Sequence, residues 1–288
     1  MDNKEYFKPN NYQELSHLVK DFGAKATFIA GGTDLIPQIR TGSKSPELFI
    51  DISEIDELLS IEENEKSISI GAATKIADVA SDSTITKHCP ILASAAGHLG
   101  NTLTRNRATI GGNIANASPC CDTAPPLLTL NAAVVIRNIK GETKTLSIDD
   151  FFLSYKKTAL APGELITRIT VPKGTEKGCG SFIKIGQRNS AAISMISMAM
   201  MMEMESGNCK QVKIAMGGMA PIPIRAFNTE RLLQDKKIDD ALVETCAKSV
   251  AAEFSPISDI RGSEEYRRHL TTVLFRRSIE NSLKQIGA

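Results

Sequence analysis

The sequence predicts an α+β protein built from about three structural units. Three observations lead to this prediction: a strand–helix–strand rhythm near the N-terminus, alternating apolar and polar residues from residue 67, and a long amphipathic helix near the C-terminus. A chain of 288 residues can bury about 75% of its unfolded surface without disulfides or metals. We expect the units at residues 1–55, 56–175 and 176–288.

The first unit begins with a helical pattern over residues 12–19 and an apolar run at residues 27–30. A glycine turn at residues 31–34 leads to a second helical stretch, residues 35–39, and then to a strand at residues 48–52. A strand, a glycine turn, a helix and a second strand in this order are typical of a βαβ arrangement.

The second unit begins with strict alternation at residues 67–71 and continues through a helix of small residues near 89–99. A glycine- and asparagine-rich loop follows, and then strands near 132–137 and 164–171. Residues 172–178 combine proline, glycine and charge, and are therefore the best candidate for a linker to the third unit.

The third unit is predicted to contain a three-stranded sheet and three helices. The strands are expected near 180–187, 193–204 and 209–217, and the helices near 226–235, 239–253 and 263–285. The last helix carries an apolar stripe of Tyr266, Leu270, Val273, Leu274 and Ile279, with arginines around it. Its Arg267, Arg268, Arg276 and Arg277 favour either a solvated helix face or a docking surface for a partner.

Charge and hydropathy exclude several functional classes. The chain has 34 basic and 33 acidic residues, a net charge of +1, which argues against a nucleic-acid binder held by bulk electrostatics. No apolar run approaches the roughly 20 residues that span a bilayer. The first residues contain no apolar stretch typical of a secretory signal, so we expect a cytoplasmic protein without a membrane span.

Sulfur-containing residues give no sign of a metal site. The six cysteines include no C-x-x-C pattern, and adjacent Cys120 and Cys121 rarely close a relaxed disulfide or clamp a metal. We expect reduced thiols and no chain-encoded iron–sulfur cluster. The methionine-rich residues 195–204 favour a buried strand over a copper site, because the run contains neither His nor Cys.

The first candidate binding segment is Ile29-Ala30-Gly31-Gly32-Thr33-Asp34-Leu35-Ile36. Glycines at a strand-to-helix junction let a ligand approach the backbone, and the free N–H groups there attract phosphate oxygens. A tight turn with Thr33 or Asp34 as the N-cap explains the same pattern. The segment matches neither the G-x-G-x-x-G pattern of a Rossmann site nor a P-loop.

The second candidate binding segment is residues 105–125, which combine Gly, Asn, Ser, Thr and a terminal carboxylate. Such a segment is poor at forming a core but presents many hydrogen-bonding groups to a polar ligand. Two glycine segments some 75 positions apart suit a dinucleotide whose diphosphate joins two heterocycles.

Four motifs resemble a known family when they are taken in order. They are AGGTDL at 30–35, RNRATIGGNIANASPCCDTAPPLLTLNA at 105–132, PGELITRITVP at 162–172 and FIKIGQRNSAAIS at 182–194. Together they resemble the FAD-binding medium subunit of the molybdenum hydroxylases, which include xanthine, carbon monoxide and nicotinate dehydrogenases. The resemblance implies a two-part FAD-binding domain of the PCMH or vanillyl-alcohol-oxidase type, followed by a smaller C-terminal α+β domain.

The resemblance also implies a set of cofactor-binding residues. Residues 29–36 would hold the FAD diphosphate through backbone N–H groups, and Thr109, Ile110, Gly111, Gly112 and Asn113 would line its other side and the ribityl chain. Asp122 would bond cofactor hydroxyls or a ring edge, Ile166 would lie near the flavin ring, and Lys184 would place a positive charge beside it. Leu99 occupies a position where some relatives place an aromatic side chain over the flavin.

The resemblance implies partners as well. A small subunit with [2Fe–2S] clusters and a large molybdopterin subunit would join this chain in a hetero-oligomer of three chain types. Electrons would reach non-covalently bound FAD and leave to NAD or another acceptor. No catalytic side chain is then expected here, because the flavin performs the redox step.

Two alternative functions remain open at the level of sequence. One is a standalone FAD-dependent reductase resembling UDP-N-acetylenolpyruvoylglucosamine reductase, which needs its own acid in the C-terminal domain. The other is a non-catalytic scaffold that uses both glycine segments only as turns.

Overall fold

The computed structural model describes residues 4–174, 178–188 and 190–287. The predicted linker at residues 172–178, and with it the expected boundary between residues 175 and 176, extends over positions outside these ranges. Asn189 of the fourth motif also lies outside the described residues.

A three-stranded parallel sheet forms the N-terminal unit. Its strands are β1 (Glu5–Phe7), β2 (Ala26–Ile29) and β3 (Leu48–Asp51), with β3 in the centre. Helix α1 (Tyr12–Phe22) joins β1 to β2, and helix α2 (Leu35–Arg40) follows β2. The predicted strand–helix–strand rhythm is confirmed, and β1 is an additional strand too short for periodicity to reveal.

A five-stranded antiparallel sheet forms the second unit. Its strands are β4 (Ile61–Glu63), β5 (Ser67–Gly71), β6 (Ala133–Arg137), β7 (Thr143–Ser147) and β10 (Leu165–Pro172). They lie in the order β4-β5-β10-β6-β7. Helix α9 (Ile148–Phe151) and a separate hairpin of β8 (Phe152–Ser154) and β9 (Lys157–Thr158) follow β7.

Six short helices connect β5 to β6. They are α3 (Ile76–Ser81), α4 (Ser83–His88), α5 (Pro90–His98), α6 (Thr102–Arg105), α7 (Ile110–Ala115) and α8 (Ala124–Thr129). The predicted small-residue helix is α5, but the predicted loop at 105–125 is partly helical. Thr109 begins α7 by accepting from the Gly112 N–H, and prolines in the first turn of α8 fit a helix start.

The third unit contains the predicted three long strands and two strands of two residues each. The strands are β11 (Cys179–Ile185), β12 (Ile196–Glu205), β13 (Asn208–Gly217), β14 (Ile224–Arg225) and β15 (Lys236–Lys237). The first four pair antiparallel in chain order, and β15 extends the far end of β13. The helices are α10 (Phe227–Leu233), α11 (Asp240–Ala252) and α12 (Glu264–Gln285).

The methionine-rich strand β12 is buried on both faces, which confirms its interpretation as core. Met198, Met200 and Met202 pack among the helices of the third unit. Ala199 and Met201 face the other way and join the core of the second unit. The C-terminal sheet is therefore packed against the second unit, next to the helices that carry the second glycine segment.

Three clusters of buried apolar side chains correspond to the three larger sheets. The N-terminal cluster also takes in Leu58, Ala73 and Leu165 from the second sheet region. The division of the chain at residues 55 and 175 stays a prediction. No helix within the described ranges is both long enough and apolar enough to cross a bilayer.

Candidate functional site

The candidate site is a cavity of about 940 Å³ to which all three units contribute walls. The turn after β2, the α5–α6 and α7–α8 regions, the β8–β9 hairpin and three loops of the third unit line it. Ligand pockets usually measure about 300–1,000 Å³, so the cavity has room for a cofactor of dinucleotide size.

The first glycine segment forms the N-terminal wall. Strand β2 ends at Ile29, and Gly32 turns the chain with a φ of +69°, a conformation that favours glycine. A Cβ on Gly31 would lie 2.0 Å from the carbonyl oxygen of Arg107. The absence of a side chain at Gly31 therefore lets the first glycine segment pack directly against the backbone of the second.

The backbone N–H groups of this wall are open. Ile36 donates to Gly32 O, but the N–H groups of Gly31 to Leu35 donate to no residue of the described ranges. Asp34 stands at the N-cap position of α2 without capping it; its carboxylate accepts from Gln38 instead. The capping explanation of this motif therefore fails for Asp34, and the open donors favour an anionic ligand.

The second glycine segment divides into structural and cavity-facing residues. The Ile110 N–H donates to Thr74 O at 3.0 Å and the Gly111 N–H to Ala72 O at 2.8 Å. A Cβ on Gly111 would lie 2.6 Å from that of Ala72, so this glycine lets α7 approach the end of β5. Ile110 and Gly111 thus attach α7 to the second sheet.

Thr109, Gly112 and Asn113 line the cavity on the other side of this helix start. The side-chain oxygen of Asn113 accepts from the Thr123 hydroxyl at 2.6 Å and from the Cys121 thiol at 3.0 Å. These two bonds orient the amide, and its NH₂ group donates to no side chain or backbone among the described residues. The NH₂ group can donate to a ligand's hydroxyl or phosphate oxygen.

A buried ion pair lies where the second and third units meet. Lys184 Nζ is 2.6 Å from Asp122 Oδ2 and also donates to His98 O at 3.2 Å. The Ser194 hydroxyl donates to the other carboxylate oxygen of Asp122. Burial raises the pKa of Asp122, while Lys184 and Ser194 oppose that rise. The positive charge of Lys184 is therefore compensated within the protein.

The structure brings most, but not all, of the predicted site residues to the cavity. Its walls include Ile29, Ala30, Gly31, Gly32, Thr33, Asp34, Leu35, Leu99, Thr109, Gly112, Asn113 and Asp122. Ile36, Ile110, Gly111, Ile166 and Lys184 are not part of these walls. Ile166 is buried in β10 among the core of the second unit, and Lys184 reaches the site through Asp122.

The β8–β9 hairpin contributes residues that the sequence analysis did not single out. Tyr155 and Lys156 at its tip both line the cavity. Lys156 Nζ donates to Asn116 Oδ1 at 2.7 Å and lies 4.0 Å from Asp34 Oδ2. Lys156 thus connects the two glycine walls, a contact that no local sequence pattern indicated.

Arg267 also differs from its prediction. It is 1% exposed, and it donates to Met195 O, Gly218 O and Asp259, so it is neither solvated nor available for docking. Tyr266, predicted in the apolar stripe, is 47% exposed. Arg267 lies three residues before Leu270 and seven before Leu274, on the same face of the helix. This spacing would have predicted that Arg267 is buried.

Cysteines do not add a nucleophile to the site. All six are free; Cys120 and the buried Cys121 both line the cavity. Burial raises the pKa of the Cys121 thiol to about 12, so it stays protonated at neutral pH. The site offers donors, room and positive charge for binding rather than a side chain suited to covalent chemistry.

When the chain is compared with known protein families, two family models match it and together cover most of its length. Residues 2–174 match the FAD binding domain in molybdopterin dehydrogenase, and residues 181–282 match the CO dehydrogenase flavoprotein C-terminal domain.

Individual relatives extend over nearly the whole chain. The glyceraldehyde dehydrogenase medium chain of Sulfolobus acidocaldarius is 32% identical, over 85% of this chain and 86% of its own. The xanthine dehydrogenase FAD-binding subunit of Escherichia coli O157:H7 is 29% identical, over 99% of this chain and 98% of its own. A solved carbon monoxide dehydrogenase of Hydrogenophaga pseudoflava superimposes with a TM-score of 0.93 at 28% identity, over 98% of both chains.

Proposed function

The chain belongs to the family of FAD-binding domains in molybdopterin dehydrogenases, and we propose that it is the electron outlet of such an enzyme. In this role it receives electrons from the [2Fe–2S] clusters of a small partner chain and passes them through FAD to NAD or another acceptor. The substrate is oxidised in a large molybdopterin chain, so that three chain types make up the enzyme. The expected cytoplasmic location stays a prediction.

The observation that carries the proposal is the set of open N–H groups at Gly31 to Leu35, within a cavity of about 940 Å³. Five consecutive backbone donors at a strand-to-helix turn suit the two negative charges of a diphosphate. The close approach of Gly31 to the Arg107 backbone supports the same assignment, because it brings the second glycine segment beside these donors.

We assign the remaining wall residues as follows. Thr109, Gly112 and Asn113 contact the sugar-alcohol and diphosphate region, with the Asn113 NH₂ group as a donor. Leu99, 8% exposed at the end of α5, contributes an apolar surface for a flat ring. Asp122 accepts from cofactor hydroxyls or a ring N–H on the edge that Lys184 and Ser194 leave free. When bound, FAD would supply the two-electron chemistry that these side chains lack.

The role of the third unit in this proposal is to complete the cavity. Lys184 and Ser194 bring β11 and the start of β12 to Asp122, and the Gly218 N–H donates to Pro119 O at 2.8 Å. These bonds hold the C-terminal domain against the loops of the second glycine segment.

Cofactor uptake tests the first part of the proposal. The purified full-length chain is incubated with FAD, desalted, and examined for flavin absorbance near 450 nm after release by denaturation. Stoichiometric FAD is expected. A chain that retains no FAD contradicts both the electron-transfer subunit and the standalone reductase. The non-catalytic scaffold would then be the remaining function.

Co-expression with the neighbouring reading frames tests the second part. We expect a complex of three chain types that contains iron and molybdenum, and whose FAD is reduced when the enzyme's substrate is added. A chain that is stable alone and reduces a small substrate without iron or molybdenum contradicts the subunit function and supports a standalone reductase.

A further inference from the structure

We infer that the cavity contains, besides the FAD site, a subsite for a flat organic anion, formed by the third unit. We call it the C-terminal compartment and define it by Ile193, Pro221, Ile257, Asp259, Arg261 and Arg267, all of which line the cavity. The inference rests on the proposed function, because the ligand it describes is the electron acceptor of the flavin. It narrows that acceptor to molecules that carry a negative charge.

The charges of this compartment do not cancel. Arg261 Nη1 is 2.8 Å from Asp259 Oδ2, and Arg267 Nη2 is 2.8 Å from Asp259 Oδ1, so two guanidinium groups share one carboxylate. Asp122, which is buried in the cavity lining, is already paired with Lys184. The six residues that define the compartment therefore carry a net charge of +1.

Arg261 is the group that can contact a ligand. Its side chain is 31% exposed, and its Nε and Nη2 donate to no residue in the part of the chain that the structure describes. Arg267 is 2% exposed at its side chain, and its Nη atoms donate to Met195 O, Gly218 O and Asp259. Arg267 thus contributes a fixed positive charge, and Arg261 contributes the N–H groups that are free to bind a ligand.

Both arginines act electrostatically on Cys120, another residue of the cavity lining. Burial raises the pKa of the Cys120 thiol. Arg261 and Arg267 act against that rise, and Asp122 and Asp259 add to it. Cys120 belongs to the second glycine segment, so the arginines face the flavin-binding unit across the compartment.

Apolar side chains line the same cavity. Ile193 is 56% exposed and Ile257 is 65% exposed, and both line the cavity. Exposed isoleucines in the lining of a site with unneutralised charge suit a planar ring that carries one anionic group. An inorganic anion alone would leave both isoleucines in contact with water.

The test is a binding titration on the full-length chain loaded with FAD. The probe is 2-naphthalenesulfonate, with 2-naphthylmethylammonium as its cationic counterpart and inorganic phosphate as the anion without a ring. Calorimetry gives the affinity for wild type, Arg261→Gln, Arg261→Lys, and Arg276→Gln. Arg276 pairs with Glu244 on the exposed side of α12 and serves as the matched control. FAD affinity of each variant is measured separately by the quenching of free flavin fluorescence.

We expect the sulfonate to bind wild type more tightly than the cation or phosphate. Loss of one partly buried charge weakens such binding by about tenfold, so Arg261→Gln should show that loss. Arg261→Lys should recover most of the affinity, and Arg276→Gln should not change it. FAD affinity should be the same in all four proteins.

Three results would overturn the inference. They are no sulfonate binding to wild type, unchanged sulfonate binding in Arg261→Gln, or a loss of FAD affinity in Arg261→Gln, which would assign Arg261 to the cofactor. Phosphate binding as tight as sulfonate binding would overturn the flat-ring assignment. A chain that takes up no FAD contradicts the proposed function and the acceptor role of the ligand. The same titration on the FAD-free chain then tests the anion subsite by itself.

Discussion

Asp122 and Lys184 form a buried ion pair across the boundary between the second and third units, with 2.6 Å between Oδ2 and Nζ. The two residues are 62 positions apart, and Ser194 and the carbonyl of His98 complete the cluster. The pair both attaches the C-terminal domain and sets the charge at one end of the cavity. Its two members therefore have consequences for stability as well as for binding.

Lys184→Met should destabilise the chain strongly. It leaves the Asp122 carboxylate buried without its counter-ion, and breaking such a pair costs about 3–5 kcal/mol in the free energy of unfolding. Because burial raises the pKa of Asp122, the deficit should be smaller at acid pH and grow as the pH rises and Asp122 ionises. Urea denaturation between pH 4 and pH 8, a range that extends upward from the ordinary carboxyl pKa of about 3.9, measures both effects.

Lys210→Met is the control for this variant. Lys210 pairs with Glu203 and Glu205 at an exposed position, and exposed pairs contribute about 0–1 kcal/mol. We expect a much smaller loss of unfolding free energy in Lys210→Met than in Lys184→Met. An equal loss in the two variants would show that removing Lys184 does not leave a costly buried charge at Asp122.

Gly31→Ala should separate the two glycine segments. The added Cβ would lie 2.0 Å from Arg107 O, so one backbone must move, which costs about 1–3 kcal/mol. We expect FAD affinity to fall by more than about tenfold, because 1.4 kcal/mol of lost binding energy corresponds to that factor. Fluorescence titration with FAD and thermal unfolding of the FAD-free chain measure the two effects.

Gly97→Ala provides the comparison. Gly97 lies in α5, and its added Cβ meets nothing within 4 Å. Alanine is favoured over glycine in a helix by about 1 kcal/mol, so this variant should be unchanged or slightly more stable and bind FAD normally. Normal FAD affinity in Gly31→Ala would show that the close packing of the two segments is not needed for binding.

Thr109→Ala should weaken the start of α7. The Thr109 hydroxyl accepts from the Gly112 N–H at 3.2 Å, and loss of an N-cap costs about 1 kcal/mol. Thr109→Ser keeps the capping oxygen and should retain wild-type stability. Chemical denaturation distinguishes the variants; a serine variant as unstable as the alanine variant would indicate that the methyl group, not the cap, is responsible.

Asp259 should make the chain sensitive to strong acid. Burial raises the pKa of Asp259, but hydrogen bonds from Arg261 and Arg267 lower it by more, so that the resulting pKa is about 2. A carboxylate with a lowered folded-state pKa stabilises the protein above its ordinary pKa of 3.8, and that stability is lost as the pH falls through 2. With partial solvent screening, the contribution at neutral pH is at most about 2 kcal/mol.

Asp259→Asn should remove this pH-dependent contribution. Unfolding free energies of wild type and variant are compared from neutral pH downwards, and their difference should shrink as the pH approaches 2. A difference that stays constant over that range would mean that the ionisation of Asp259 does not stabilise the fold. Retention of wild-type stability at neutral pH would contradict its role as the partner of Arg267.

Local patterns in the sequence were sufficient for much of the fold. The βαβ rhythm of the first unit, the small-residue helix α5, the three long C-terminal strands and the buried methionine strand are confirmed, because each follows from periodicity over several neighbouring residues. Strand β1 and the two-residue strands were not predictable, because two or three residues carry no period. Thr109 and Pro125 would have indicated α7 and α8, had they been treated as helix starts.

The sequence by itself determined that two segments are rich in glycine, which favours the φ of Gly32 and permits the close approach at Gly31. That the two segments form a ligand site was a prediction from this pattern. Only the tertiary structure decided which groups face the ligand. The N–H groups of Ile110 and Gly111 donate to backbone carbonyls directly after β5 and are not available to a ligand. Lys184 is neutralised by Asp122, and Arg267 is buried beside the cavity. Partners distant in sequence satisfy or neutralise these groups, and no local pattern records them.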